Sequence, residues 1–241
     1  LGGFLLPWAQ RLGYDIPPFD FRVPGVTSIS ADTHKFGYAL KGTSVLAYRD
    51  TALRRHQYFT APDWPGGIYV SPGISGSRSG GLIAATWAAM VSTGQQGYLD
   101  AARRIFATAA EIRAAVEQTP ELDVVGDPTF LVAFRTNPAE LDDMAIFHVN
   151  DALVDRGWRM NSLHHPPALH FCVTLPNTRP GVTEQFAIDL RAAVAHARQA
   201  GDAAPASGAL YGFGATPQGV LTLDGLLSAG LDLMYALPPR D

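Results

Sequence analysis

Residues 98–118, YLDAARRIFATAAEIRAAVEQ, place Leu99, Ala102, Phe106, Ala109, Ile112 and Val116 at helical spacing, and Pro120 supports an end nearby. This pattern constrains the fold more than any other feature, because the chain beyond it alternates short β-rich runs with helices. LDVVG and TFLVAFRT read as neighbouring strands, and MAIFHVNDALVDRG as a helix stopped by Gly157. WRMNSLHH and ALHFCVTL are two further strand candidates, followed by the helix VTEQFAIDLRAAVAHARQ. Its Val182, Phe186, Leu190 and Val194 fall on one face, the pattern of a core-facing stripe. An α+β unit is therefore expected over residues 96–241, with AGDAAPASGAL as a small-residue linker inside it.

Residues 1–95 read differently. VTSISA is a strand that ends in the polar Asp32, Thr33 and His34, and GTSVLAYRD is a second strand. The glycine-, proline- and serine-rich run 61–81 predicts a long irregular loop. Beyond it, LIAATWAAMVSTG predicts a largely buried helix. The whole is expected to be α/β, in two domains that part near residue 95.

Hydrophobic content of 47% and charged content of 17% describe a globular interior. A net charge of −4 with no basic-aromatic ladder argues against a nucleic-acid partner. The single cysteine, Cys172, excludes an internal disulfide framework and fits a reducing, cytoplasmic setting. No apolar run is long enough for a membrane-spanning helix. The opening LGGFLLPWAQ does not read as a signal peptide. The chain begins at leucine, within what reads as a structural element, so it is expected to be a piece of something longer.

Only two of the 18 basic residues are lysines, Lys35 and Lys41, six apart in ISADTHKFGYALKGTS. An amine can lose its proton when crowded or buried, whereas a guanidinium stays charged. An unprotonated amine attacks aldehydes, and a second nearby cation favours that form. The two lysines would stand in this relation if the chain folds back at Gly37. His34 and Thr33 supply donors suited to a phosphate, and SGSRSG (75–80) offers backbone amides and a guanidinium to the same anion.

The stretches SISADTHKFGYALKGTSVLAYRD and DWPGGIYVSPGISGSRSGG closely resemble the sphingosine-1-phosphate lyases, within the pyridoxal-phosphate group that also holds glutamate and aromatic amino-acid decarboxylases. The likeness continues through LGGFLLPWAQRLGYDIPPFDFRV, PPALHFCVTLPNTRPGV and GALYGFGAT. Leu40 and Ser79 stand where the family has proline, and Pro65 where it often has glutamine. The resemblance implies an aspartate-aminotransferase-like (fold-type I) arrangement, with the C-terminal part of the large cofactor domain followed by a small α+β domain. It implies pyridoxal 5'-phosphate as cofactor, with Lys35 bonding its aldehyde and His34 on its phosphate, beside Thr33. Lys41 becomes a second active-site amine, for proton transfer or for the substrate phosphate. Gly76 and Ser77 match a loop that reaches the cofactor of a neighbouring subunit, which implies a homodimer with shared sites.

The implied reaction cleaves the C2–C3 bond of a phosphorylated sphingoid base, giving a long-chain aldehyde and phosphoethanolamine. Two alternatives stand beside it: an amino-acid α-decarboxylase, and a non-catalytic dimerisation or remnant fragment. In the resembled family the carboxylate that pairs with the pyridine nitrogen lies upstream of the match to Leu1. These residues alone are therefore expected to be a poor catalyst. Trp64, Ile68 and Tyr69 are candidates to line a channel for a lipid tail, although simple packing is the commoner use of such side chains. Asp32 reads as a carboxylate that orients a neighbour. His164, His165, His170 and Cys172 lie close together but match no structural zinc spacing, so no metal is expected. Alternation puts His170 and Cys172 on one strand face and Phe171 on the other, and His170 approaches the substrate side in the resembled family.

Overall fold

The apolar stripe on residues 182–199 does what its spacing demands. Phe186, Leu190 and Val194 are buried in a computed structural model that describes residues 2–200, 204–207 and 217–236. The chain divides into two compact units, Leu1–Arg104 and Ile105–Asp241.

In the second unit, β5 (Leu122–Val124), β6 (Leu131–Thr136), β7 (Asn161–His164) and β8 (Pro167–Cys172) form an antiparallel sheet of order β5-β6-β8-β7. The register sets Val132 opposite Phe171 and Phe134 opposite Leu169, so all four point to one face. Helices α4 (Ala145–Asp155) and α5 (Val182–Gln199) pack against each other, and α4 also contacts β6 and β8. Ile146, Phe147, Leu153, Phe186 and Leu190 are fully buried there. Trp158 closes this core: its ring lies 5.1 Å from Phe186 and 5.9 Å from Phe171, and its indole N–H donates to Asp189 at 2.9 Å. Gly157 ends α4 with φ of 92°, a left-handed turn that suits glycine. Helix α6 (Pro217–Tyr235) follows later in the chain.

The first unit contains a short α1 (Leu6–Arg11) and an antiparallel hairpin of β1 (Ser28–Asp32) with β2 (Ser44–Tyr48). Helix α2 (Thr51–Arg55) is capped by Asp50, whose carboxylate accepts the Leu53 amide at 2.9 Å. The run 61–81 is not wholly irregular. Tyr69–Ser71 forms β4, antiparallel to β3 (Phe59–Ala61), and a strand of three residues is too short for alternation to reveal. Helix α3 (Gly80–Glu117) comprises the two helices expected, broken at Gly94, where φ is 60° and ψ 176°.

The helical part before Gly94 departs from the expectation of burial. Ile83, Trp87 and Val91 recur every fourth residue, and Trp87 is 68% exposed. Among the described residues nothing covers this stripe, so its apolar content reports a face and not a core. The match GALYGFGAT lies outside the described residues, as does most of AGDAAPASGAL.

Candidate active site

The turn that carries Lys35 starts where β1 ends. Asp32, the last residue of β1, pairs with Ser44, the first residue of β2. Between them the chain folds back tightly: the Ala39 amide donates to the Thr33 carbonyl at 3.0 Å, and the Tyr38 amide to the Lys35 carbonyl at 3.1 Å. Gly37 is required here because a Cβ would sit 2.4 Å from the Thr33 carbonyl oxygen. Tyr38 takes φ of 58°, an uncommon conformation for a residue with a side chain.

An aromatic stack holds that conformation. The Tyr98 ring, early in the second part of α3, lies 5.4 Å from Trp8 and 6.2 Å from Tyr38, nearly parallel to both. Its hydroxyl donates to the Gly37 carbonyl at 2.9 Å. Burial pushes the phenol of Tyr38 up to about 12, with Tyr98 adding to the rise.

The Lys35 amine lies 2.6 Å from the Asp32 carboxylate, and its side chain is 41% exposed. Ser44 donates to the other Asp32 oxygen at 2.6 Å. The Lys35 amine first, then the Ser44 hydroxyl, hold the Asp32 carboxyl down to about 2. The contact therefore contributes stability above the ordinary carboxylate range near 4, and this is lost as the pH falls toward 2.

His34 is half-buried, and its Nδ1 donates to the Thr43 carbonyl at 3.0 Å. The Thr33 hydroxyl, buried, donates to the same carbonyl at 2.8 Å and contacts the Thr43 hydroxyl. The Thr43 and Thr86 hydroxyls lie 2.8 Å apart, which links the end of the turn to α3.

A cavity of about 460 Å³ opens beside this network, lined by Thr33, Thr43, Ser77, Arg78, Ser79 and Thr86 among others. Six hydroxyls, that of Ser44 included, and one guanidinium surround this space; Ser77, Ser79 and Arg78 are donors suited to an anion, and a cofactor phosphate fits that chemistry. Gly76 and Arg78 line a second cavity of about 620 Å³ with Tyr48, His56 and Tyr58. Of the residues expected from sequence, Thr33 and Ser77 therefore share a cavity. His34 and Lys35 stand in the turn, outside the lining of either. Lys41 is exposed and precedes Gly42. Trp64, Ile68 and Tyr69 are exposed and line neither cavity.

Tyr98, Trp8, Thr43 and Thr86 escaped the sequence reading. All four sit inside stretches already singled out, but nothing in their spacing marks the hydrogen bond from Tyr98 to Gly37, 61 residues away. In the second unit, His170 faces away from Phe171, its Nδ1 has no hydrogen-bond partner, and burial lowers its pKa. Among the described residues no group of three His, Cys, Asp or Glu side chains is placed to hold a metal ion.

Gly37→Ala tests the turn. The Cβ would force the Thr33 carbonyl aside at a cost of about 1–3 kcal/mol, measurable by urea unfolding. An unchanged midpoint would show that the turn relaxes without strain.

No family model matches the chain. Curated relatives do. A sphingosine-1-phosphate lyase of Dictyostelium discoideum is 51% identical over 175 residues, 72% of this chain and 32% of that protein. Sphingosine-1-phosphate lyase 1 of Rattus norvegicus is 40% identical over 242 residues, 99% of this chain and 42% of that protein. The chain thus spans less than half the length of these relatives. A solved structure of a Burkholderia pseudomallei sphingosine-1-phosphate lyase, 54% identical, superposes with a TM-score of 0.83 over 99% of this chain and 48% of its own. The glutamate decarboxylase of Lactobacillus brevis, at 20% identity and a TM-score of 0.63 over 82% of this chain, shares the fold alone.

Proposed function

Because the chain belongs to the sphingosine-1-phosphate lyase family, we propose that it supplies the lysine-bearing part of a pyridoxal-phosphate-dependent lyase acting on phosphorylated sphingoid bases. The products are a long-chain aldehyde and phosphoethanolamine. The observation that carries this reading is the placement of Lys35: an accessible amine at the end of β1, in a turn whose Thr33 lines a hydroxyl- and guanidinium-rich cavity.

In this reading Lys35 would bond the cofactor aldehyde, and Thr33 and Arg78 would hold an anionic group in the cavity. His34, whose Nδ1 proton is committed to the Thr43 carbonyl, would have Nε2 left for the cofactor phosphate. Gly76 and Ser77 would reach the cofactor phosphate of a neighbouring subunit. Lys41 takes the proton of the C3 hydroxyl or holds the substrate phosphate. When bound, the cofactor ring accepts the electron pair released as the C2–C3 bond breaks.

The reading extends to the domains, with 1–95 as the end of the cofactor domain and 96–241 as the small domain. It extends also to a homodimer with shared sites, supported by the exposed stripe of Ile83, Trp87 and Val91, and to a cytoplasmic location, supported by the one free cysteine. No helix among the described residues is long and apolar enough to cross a membrane.

The test uses the protein in its natural full-length form. Long-chain aldehyde release from a phosphorylated sphingoid base is measured beside carbon dioxide release from glutamate and tyrosine. Aldehyde without carbon dioxide is expected; carbon dioxide without aldehyde would make it a decarboxylase.

A further inference from the structure

We propose that Asp32 is a positioning residue that receives and holds the Lys35 ammonium whenever that amine is not bonded to an aldehyde, an assignment that rests on the role given to Lys35 above. The two carboxylate oxygens are divided between two donors. Ser44, directly across the hairpin, donates to Oδ1 at 2.6 Å, which fixes the carboxylate rotation and aims Oδ2 at Nζ of Lys35, also at 2.6 Å. The backbone keeps the amine within reach, since the Tyr38 amide holds the Lys35 carbonyl.

Such a contact matters because an ammonium has no lone pair. Before it can attack, Lys35 must give a proton to solvent and leave Asp32. Its nitrogen then bonds the aldehyde carbon, and its two remaining hydrogens depart with the aldehyde oxygen as water. Asp32 stays ionised across the neutral range, so it detains the amine as a fixed charge and does not accept its proton. His34, next to Lys35 in the turn, is the other titratable group whose charge reaches Asp32. The Gly2–Phe4 turn packed on β1 brings no titratable side chain, and β2 brings Ser44 and, at its far end, Tyr48.

With two lysines in the sequence, each is the reference for the other. The full-length protein and its Asp32→Asn variant are trace-labelled with acetic anhydride across a pH series, and acetylation of Lys35 relative to Lys41 is read by mass spectrometry. The ratio is expected to rise roughly three- to tenfold in D32N at neutral pH, with the difference closing at alkaline pH, where the amine is free in both. Ser44→Ala, which releases only the carboxylate rotation, should move the ratio the same way by less. A ratio unchanged, or lowered equally at every pH, in both variants would overturn the proposal. Labelling needs no cofactor. Borohydride capture of pyridoxal 5'-phosphate on Lys35 in the unaltered protein tests the functional reading separately: hydride from borohydride reduces the carbon–nitrogen double bond to a stable amine. The two failures are thus read independently.

Discussion

Lys35→Ala is expected to abolish the borohydride-stable cofactor adduct and to lower turnover by on the order of 10³-fold or more, because the proposed reading gives the bonding amine to Lys35. Lys35→Arg should fail equally, since a guanidinium does not give up its proton. Lys41→Ala should still form the adduct on Lys35 while losing turnover, which separates capture from later proton transfer or phosphate binding. Peptide mapping after reduction, beside an aldehyde-release assay, reads all three. An adduct on Lys41 in K35A with turnover retained would refute the assignment of the two amines.

The second large effect is on stability. Phe186 is fully buried, with Trp158 at 5.1 Å and Phe171 at 5.2 Å, so truncation leaves a hole flanked by two rigid rings that cannot close it. Phe186→Ala should cost about 3–5 kcal/mol and lower the melting temperature by on the order of 10 °C. Ile188, two residues on and 53% exposed, should tolerate alanine within about 0.5 kcal/mol. Equal losses at the two positions would mean that α5 does not present the face described.

The second unit was legible because its signals are local. The stripe at 182, 186, 190 and 194 and the alternation in ALHFCVTL each state which side is covered; the first holds at 186, 190 and 194, with Val182 half-buried, and the second holds at Leu169, Phe171 and Val173. The first unit was legible in its strands and in the resemblance carried by its motifs, which the relatives bear out at the level of family. What stayed hidden is tertiary. The β3–β4 pairing rests on two three-residue strands, and the Trp8–Tyr98–Tyr38 stack joins residues up to 90 apart that no periodicity connects. Composition misled once. LIAATWAAMVSTG is apolar enough for a core, yet a hydrophobic helix face says only that something should cover it, not that these residues do.

The chain of threonines fixes the sense in which its hydrogens run. Thr33 spends its one hydroxyl hydrogen on the Thr43 carbonyl, so Thr43 must point its own at Thr33, and Thr86 must point its own at Thr43. A phosphate entering the cavity can then recruit Thr33 only by drawing it off that carbonyl. The carbonyl would not be stranded, since His34 already donates to it. The array runs one way, from Thr86 through Thr43 to Thr33 and the carbonyl, so replacing Thr86 with valine would remove only its first donor and leave the Thr43–Thr33 link and the turn in place.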